Sequence, residues 1–392
     1  MGGRSVRLEP DREGGYMRSW MLRLSGATAL GGVLALWATV MAAQAPSGAK
    51  APDQTAIDPD AANTVAAERM RAEAEALKTW TPPRTAWGDP DLRGVWHLAT
   101  YTPLQRRPEL ANKPFYTEEE AIAAFKRAVE ADAEVDPRTV HYDWKEYSMD
   151  AWQGGARPNL RTSLIVDPVD GRLPPLTEEA KQRQAARAAA AKRRDPAAGI
   201  VTFGNTYTRC ILGNSAAPLI QGGNPGADPE DLAASVTAEA LLFQSPGYVT
   251  IVIQSNSDVR IIPLDGRPHL PSHVRQWWGD ARGRWEGDTL VVETTNLKDR
   301  APAPNIQGAT EALRLTERFT RVGPNTIRYE YTMTDPQTWT RPWSVEAQLP
   351  RVEPDLIYEF ACHEQNYGVI NVVRGTQIRE REAAAAGQTR AR

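Results

Sequence analysis

A chain of 392 residues, 41% hydrophobic and 24% charged, is long enough for one large β domain with additions or for two ordinary domains, and this composition excludes a disordered or membrane-embedded protein. The formal charge is −3, and it becomes −5 once residues 1–45, with their five arginines and three acids, are set aside. So small a negative balance speaks against nucleic acid or anionic lipid as a partner, because both require a clustered basic surface.

The first element in chain order is a leader. From Met17 a short basic region (Arg18, Arg23) precedes an uncharged apolar run from Leu24 to Met41, and small residues end at Ala43-Gln44-Ala45, the pattern of Ala-x-Ala cleavage. Residues 1–45 are therefore expected to be a signal peptide, with the mature chain periplasmic or secreted and off the membrane. The alternative is a retained anchor, since the apolar run approaches the roughly 20 residues that span a bilayer. No cysteine stands at the junction and no paired arginines precede the run, so neither lipidation nor twin-arginine export is expected.

Residues 46–79 read as a linker and a surface helix: Pro46 to about Asn63 is rich in Pro, Ala and Asp, and Val65 to Lys78 is a helix with few apolar positions. The folded part is expected as a single β-rich domain over 80–380 with helical insertions. Thr117 and Glu120 form a capping-box pattern ahead of Ala121, Ile122, Ala124, Phe125 and Val129, predicting a helix whose apolar stripe packs on the core. Ser163 to Val166 reads as a strand, and the following Asp167-Pro168-Val169-Asp170-Gly171 as a turn rather than a calcium loop, because no closing acid stands at EF-hand spacing. Thr177 to Arg194 is a second, solvated helix, acidic at its start and basic at its end as the helix dipole favours. From Ala197 to Glu239 the Gly, Asn, Pro and Ala content marks a long loop region.

The second half is strands. Tyr248 to Gln254 and Val259 to Leu264 form one hairpin, and Arg284 to Trp285 with Thr289 to Thr295 form another. Leu313 to Val322 and Thr326 to Thr334 form a third, in which Ile327, Tyr329, Tyr331 and Met333 alternate with polar residues and should face inward. Trp343 to Leu349 and Leu356 to Cys362 extend the series. The fold class is mainly β, an antiparallel meander closing into a barrel or sandwich with a few surface helices, and residues 381–392 are expected as a disordered tail. Cys210 and Cys362 are the only cysteines; an isolated pair behind an export signal is expected to bridge, the alternative being two separate buried thiols.

Five segments carry a resemblance: Pro90 to Trp96 (PDLRGVW), Arg161 to Thr177 (RTSLIVDPVDGRLPPLT), Arg260 to His269 (RIIPLDGRPH), Gly283 to Asn296 (GRWEGDTLVVETTN) and Ala361 to Tyr367 (ACHEQNY). In these the chain resembles a broad family of exported bacterial proteins, from about Trp80 to Tyr367. The resemblance implies export and supplies neither a reaction nor a cofactor. The strand pattern is similar to lipocalin-like barrels, an analogy of fold alone.

Candidate chemistry concentrates in the loop around Arg267, His269, His273, Arg275, Trp277, Trp278 and Asp280. Two histidines four apart share a metal when a helix brings them to one side, but Pro268 and Pro271 exclude a helix, and a third ligand would have to be His363, Glu364 or Asp280. The adjacent Trp277 and Trp278, with Trp285 close behind, instead suggest a platform for flat, glycan-like or amphipathic ligands, with Arg267 and Arg275 fixing orientation. Glu317 lies on the apolar face of its strand, where desolvation suits a general acid or base; the alternatives are a bulge in the strand or an ion pair with an arginine such as Arg321. Glu293 and His363 join an acid/base set only if the fold gathers them. No Gly-x-Ser-x-Gly, Walker loop, Rossmann fingerprint or Cys-x-x-Cys is present, so no cofactor is called for. Two readings follow: a small-molecule binding protein with a Trp-lined barrel or cleft, or an extracytoplasmic hydrolase or lyase using His269, His273, Asp280, Glu317 and His363.

Overall fold

The computed structural model describes residues 59–110, 112–132, 154–192, 210, 217–220, 239–254, 258–298, 309–352, 357–364 and 366–390. The expected leader and cleavage site lie outside the described residues, as does the expected linker up to residue 58; its last part, from Pro59, is already helical. Among the described residues no helix is long and apolar enough to cross a membrane. In chain order the elements are α1 (Pro59–Leu77), β1 (Gly94–His97), α2 (Glu118–Asp132), β2 (Ile165–Asp167), α3 (Glu178–Lys192), β3 (Glu239–Ser245), β4 (Tyr248–Ile253), β5 (Asp258–Pro263), β6 (Asp280–Glu286), β7 (Thr289–Thr295), β8 (Arg314–Gly323), β9 (Thr326–Thr334), β10 (Trp343–Pro350) and α4 (Tyr367–Arg390).

The strands form two antiparallel sheets, β1-β3-β4-β5 and β2-β10-β9-β8-β7-β6. Alternation of apolar and polar residues decides which face each strand buries. On β9, Ile327, Tyr329, Tyr331 and Met333 are all inward and at most 2% exposed, as the period of two requires. Cross-strand pairing then lines up rows on the inner face, Trp285-Leu290-Phe319-Tyr329-Ala347 and Gly283-Val292-Glu317-Tyr331-Val345. The four-stranded sheet contributes Trp96, Ala240, Leu242, Ile251 and Ile262 to the same core. Glycine at 283 is what lets β5 approach β6, since a Cβ there would stand 2.6 Å from Leu264 Cδ2 and 2.8 Å from Ile262 Cγ2. On the far side, just past the end of β10, Val352 N–H donates to Val95 O of the edge strand β1 at 2.9 Å, beside a bridge between Trp96 and Arg351.

Four expectations need revision in detail. The strand expected over Leu356 to Cys362 does not form in its described part, residues 357–362, and the chain after β10 instead meets β1 through Arg351 and Val352. β3 begins at the residue where the long loop was expected to end; its Glu239-Ala-Leu-Leu-Phe run lacked a turn signal to separate it. The α2 capping box forms, with Thr117 N–H donating to Glu120 Oε2 at 2.8 Å and Glu120 N–H to Thr117 Oγ1 at 3.3 Å. Its Phe125 and Val129, however, pack on Ala62 and Ala66 of α1 in a separate cluster rather than on the main core. Finally, α4 continues through Arg390, into the segment expected as a tail. Cys210 and Cys362 are paired, with Cα atoms 5.6 Å apart across 152 residues.

Candidate functional site

The loop from Leu264 to Gly279 connects β5 to β6 and contains no helix, as its prolines dictate. It is held at its base by polar side chains. The Asp280 carboxylate, 4% exposed at the first position of β6, accepts from Leu270 N–H at 2.9 Å, faces His269 Nδ1 at 3.0 Å and pairs with Arg282 Nη1 at 2.7 Å. On the other side of the imidazole, His269 Nε2 stands 3.2 Å from Glu293 Oε1, and Glu293 Oε2 is paired with Arg314 Nη1 at 2.8 Å. Both imidazole contacts are hydrogen bonds at once only when each ring nitrogen carries a proton. Partial burial opposes ionisation of Glu293, but the hydrogen bond and charge of Arg314, joined by His269, outweigh it and hold this carboxyl below its ordinary range.

Asn296 completes the clamp. Its backbone adopts φ 57°, which asparagine tolerates better than most residues, and its amide donates to Leu270 O at 2.9 Å and Pro271 O at 3.1 Å. Sequence reading missed Asn296, Arg282 and Arg314. The signal available for Asn296 was an asparagine closing a β-branched run, a usual place for a left-handed residue.

Beyond the clamp, much of the loop is open to solvent. Leu270, Val274 and Trp277 are 36%, 39% and 38% exposed, His273 is exposed, and Trp278 is half-buried. Lys298 Nζ lies 5.0 Å from the centre of the Trp277 ring. Arg275 is spent on the scaffold, donating to Glu311 O at 2.6 Å. Arg267 is exposed and pairs with Asp265 through Nε to Oδ2 at 2.6 Å, which brings the Asp265 carboxyl down to about 2.

Three expected members lie apart from this loop. Trp285 packs against the main core from β6, and its indole N–H has no partner among the described residues. His363 is exposed in the turn that follows Cys362. Glu317 does point inward, 0% exposed, but it is bound by Arg260 rather than Arg321: Nη1 to Oε1 at 3.1 Å and Nη2 to Oε2 at 2.5 Å, with Tyr329 O–H donating to Oε1 at 2.7 Å. Burial and the adjacent Glu317 charge push the Tyr329 phenol well above its ordinary value, so it stays a donor. A carboxylate that is 0% exposed and already accepts from Arg260 and Tyr329 is committed to the interior and not presented to a substrate in solvent.

Among the described residues no group of three or more His, Cys, Asp and Glu side chains is arranged to hold a metal ion. At the loop the reason is visible: Asp280 and Glu293 already carry arginines, and both nitrogens of His269 face carboxylates. Compared with family models, with curated proteins and with solved structures, the chain matches none of them.

Proposed function

We propose that this chain is an exported binding protein that holds a flat amphipathic, glycan-like small molecule on the open part of the loop between Leu264 and Gly279, without acting on it chemically. One observation carries the reading: Leu270, Val274 and Trp277 are each more than a third exposed on one loop whose base is fixed by Asp280, Asn296 and the His269 clamp. Exposed apolar and aromatic groups are costly to hold in water, and a rigid base keeps them presented rather than collapsed. The acid/base alternative is weakened by the same clamp. A general base needs one ring nitrogen directed at the substrate, and both nitrogens of His269 are engaged.

The proposal extends to the scaffold as a single barrel. β5 approaches the edge strand β6, and β1 meets the chain at the end of β10, beyond the two residues that the short edge strand β2 pairs, which are the places where the two sheets would have to join. Eight strands are about the number whose side chains fill the space they enclose, so ten would leave room; here Ala217, Leu219 and Ile220 lie in the core cluster. The interior would then be a packed support, and the ligand would sit at its mouth. Titration with soluble β-linked oligosaccharides, cellotetraose and chitotetraose, while following tryptophan fluorescence tests this: saturable quenching is expected, with at least tenfold weaker binding for Trp277→Ala, about 1.4 kcal/mol or more, and an unchanged melting temperature. Absence of saturable binding to both, or full binding by Trp277→Ala, contradicts it.

A further inference from the structure

The interior also contains a stretch that belongs to neither sheet. Ala217-Pro218-Leu219-Ile220 forms no strand, yet Ala217, Leu219 and Ile220 are at most 1% exposed and pack among core residues of both sheets. Its link to the wall is a side-chain relay. Leu219 N–H donates to Tyr329 Oη at 3.0 Å, Tyr329 O–H donates to Glu317 Oε1, and Arg260 grips both oxygens of Glu317. Aromatic rings surround that relay, with Phe319 and Tyr331 4.9 and 5.7 Å from Tyr329 between centroids.

Packing alone does not account for this arrangement. Apolar residues of similar volume would fill the same space at least as stably as a fully desolvated Arg–Glu pair, and Arg260 Nε is left without a partner among the described residues. What the relay adds is orientation: it presents one fixed acceptor to one main-chain N–H, while the apolar wall takes the branched side chains on either side. That division of labour is the one by which small-ligand pockets combine affinity with specificity.

We propose that this interior position is a binding site for a short apolar peptide bearing a free main-chain N–H, and that the chain occupies it with its own Ala217–Ile220. An external peptide then competes with the internal segment, and its apparent affinity is reduced by the fraction of molecules in which the site is already filled. Neither Trp277 nor His273 takes part, so the interior site stands or falls independently of the loop.

Two measurements decide between an occupied site and a plain core. In the wild-type protein, hydrogen exchange followed by NMR should show the Leu219 amide exchanging roughly 100-fold faster than the amides of Tyr329 and Tyr331, because the segment leaves without the sheets opening; equal rates overturn the proposal. The Leu219→Ala/Ile220→Ala variant, checked for native far-UV circular dichroism, should bind acetyl-Ala-Pro-Leu-Ile-amide by calorimetry roughly tenfold more tightly than wild type, and should lose that binding when Tyr329→Phe is added. A folded variant that does not bind the peptide, or that binds it regardless of Tyr329, overturns the proposal as well. If the variant fails to fold, the wild-type exchange rates decide by themselves.

Discussion

At the scale of single residues, the charged groups act as fasteners. Replacing Glu317 by Gln removes the partner of a guanidinium that is 2% exposed and leaves it uncompensated. A loss of about 3–5 kcal/mol in urea denaturation is expected, and Arg260→Met/Glu317→Leu should recover most of it, since the pair repays little more than its own desolvation. Equal losses in the single and double variants would refute this assignment. Glu293 gives a pH dependence with a definite sign. Its carboxyl is lowered on folding, so its contribution to stability is complete above the ordinary value of 4.5 and fades as pH falls through the lower native value. The difference in melting temperature between wild type and Glu293→Gln should therefore be largest near neutrality and shrink below pH 4.5. A difference that grows on acidification would contradict the clamp. The inward direction of Glu317 was legible by counting in twos along its strand. Its partner was not, because Arg260 comes from the other sheet and no local pattern encodes a contact 57 residues away.

At the scale of elements, alternation and turn chemistry carried most of the information. The meander from β6 to β10 follows the predicted hairpins, and Glu286-Gly287-Asp288 turns where expected, with Gly287 at φ 61°. β1 escaped because it is only four residues long, and β3 because it directly follows a segment of loop-like composition; pairing with each other and of β3 with β4, rather than propensity, makes them strands. The α2 stripe was correctly placed on a helix, but an amphipathic pattern specifies only that a face is covered, and here α1 covers it. The junction between loop and sheet depends on Gly279, at φ 71°, where a Cβ would meet Thr295 O and Thr294 Cγ2 at 2.6 Å. Gly279→Ala is expected to lower stability by about 1–3 kcal/mol and to weaken ligand binding by loosening the loop, as thermal denaturation and the oligosaccharide titration would register. An alanine variant as stable as wild type would show that the junction relaxes freely.

At the scale of the whole molecule, two features combine: a β scaffold with a fully buried polar relay, and a rigidly based loop that keeps apolar groups in solvent. Cys210 and Cys362 join the middle of the chain to the segment just before α4. The Cys210→Ser/Cys362→Ser variant should lose about 2–5 kcal/mol under oxidising conditions and behave like the reduced wild type, whereas unchanged stability would show that the bridge constrains nothing. The loop proposed as the site drew notice in the sequence by residue density, since Arg267 to Asp280 gathers histidines, tryptophans and arginines between prolines. What the sequence could not reveal is the division within it, because only tertiary contacts commit His269, Arg275 and Asp280 to the scaffold while leaving Trp277, Val274 and Leu270 outside. The most direct test of the loop as a binding surface is the NMR response of the tryptophan indole N–H signals to cellotetraose or chitotetraose. The signals of Trp277 and Trp278 should shift saturably while those of the buried Trp96, Trp339 and Trp343 stay fixed; shifts confined to the buried three, or no shift at all, would contradict the account.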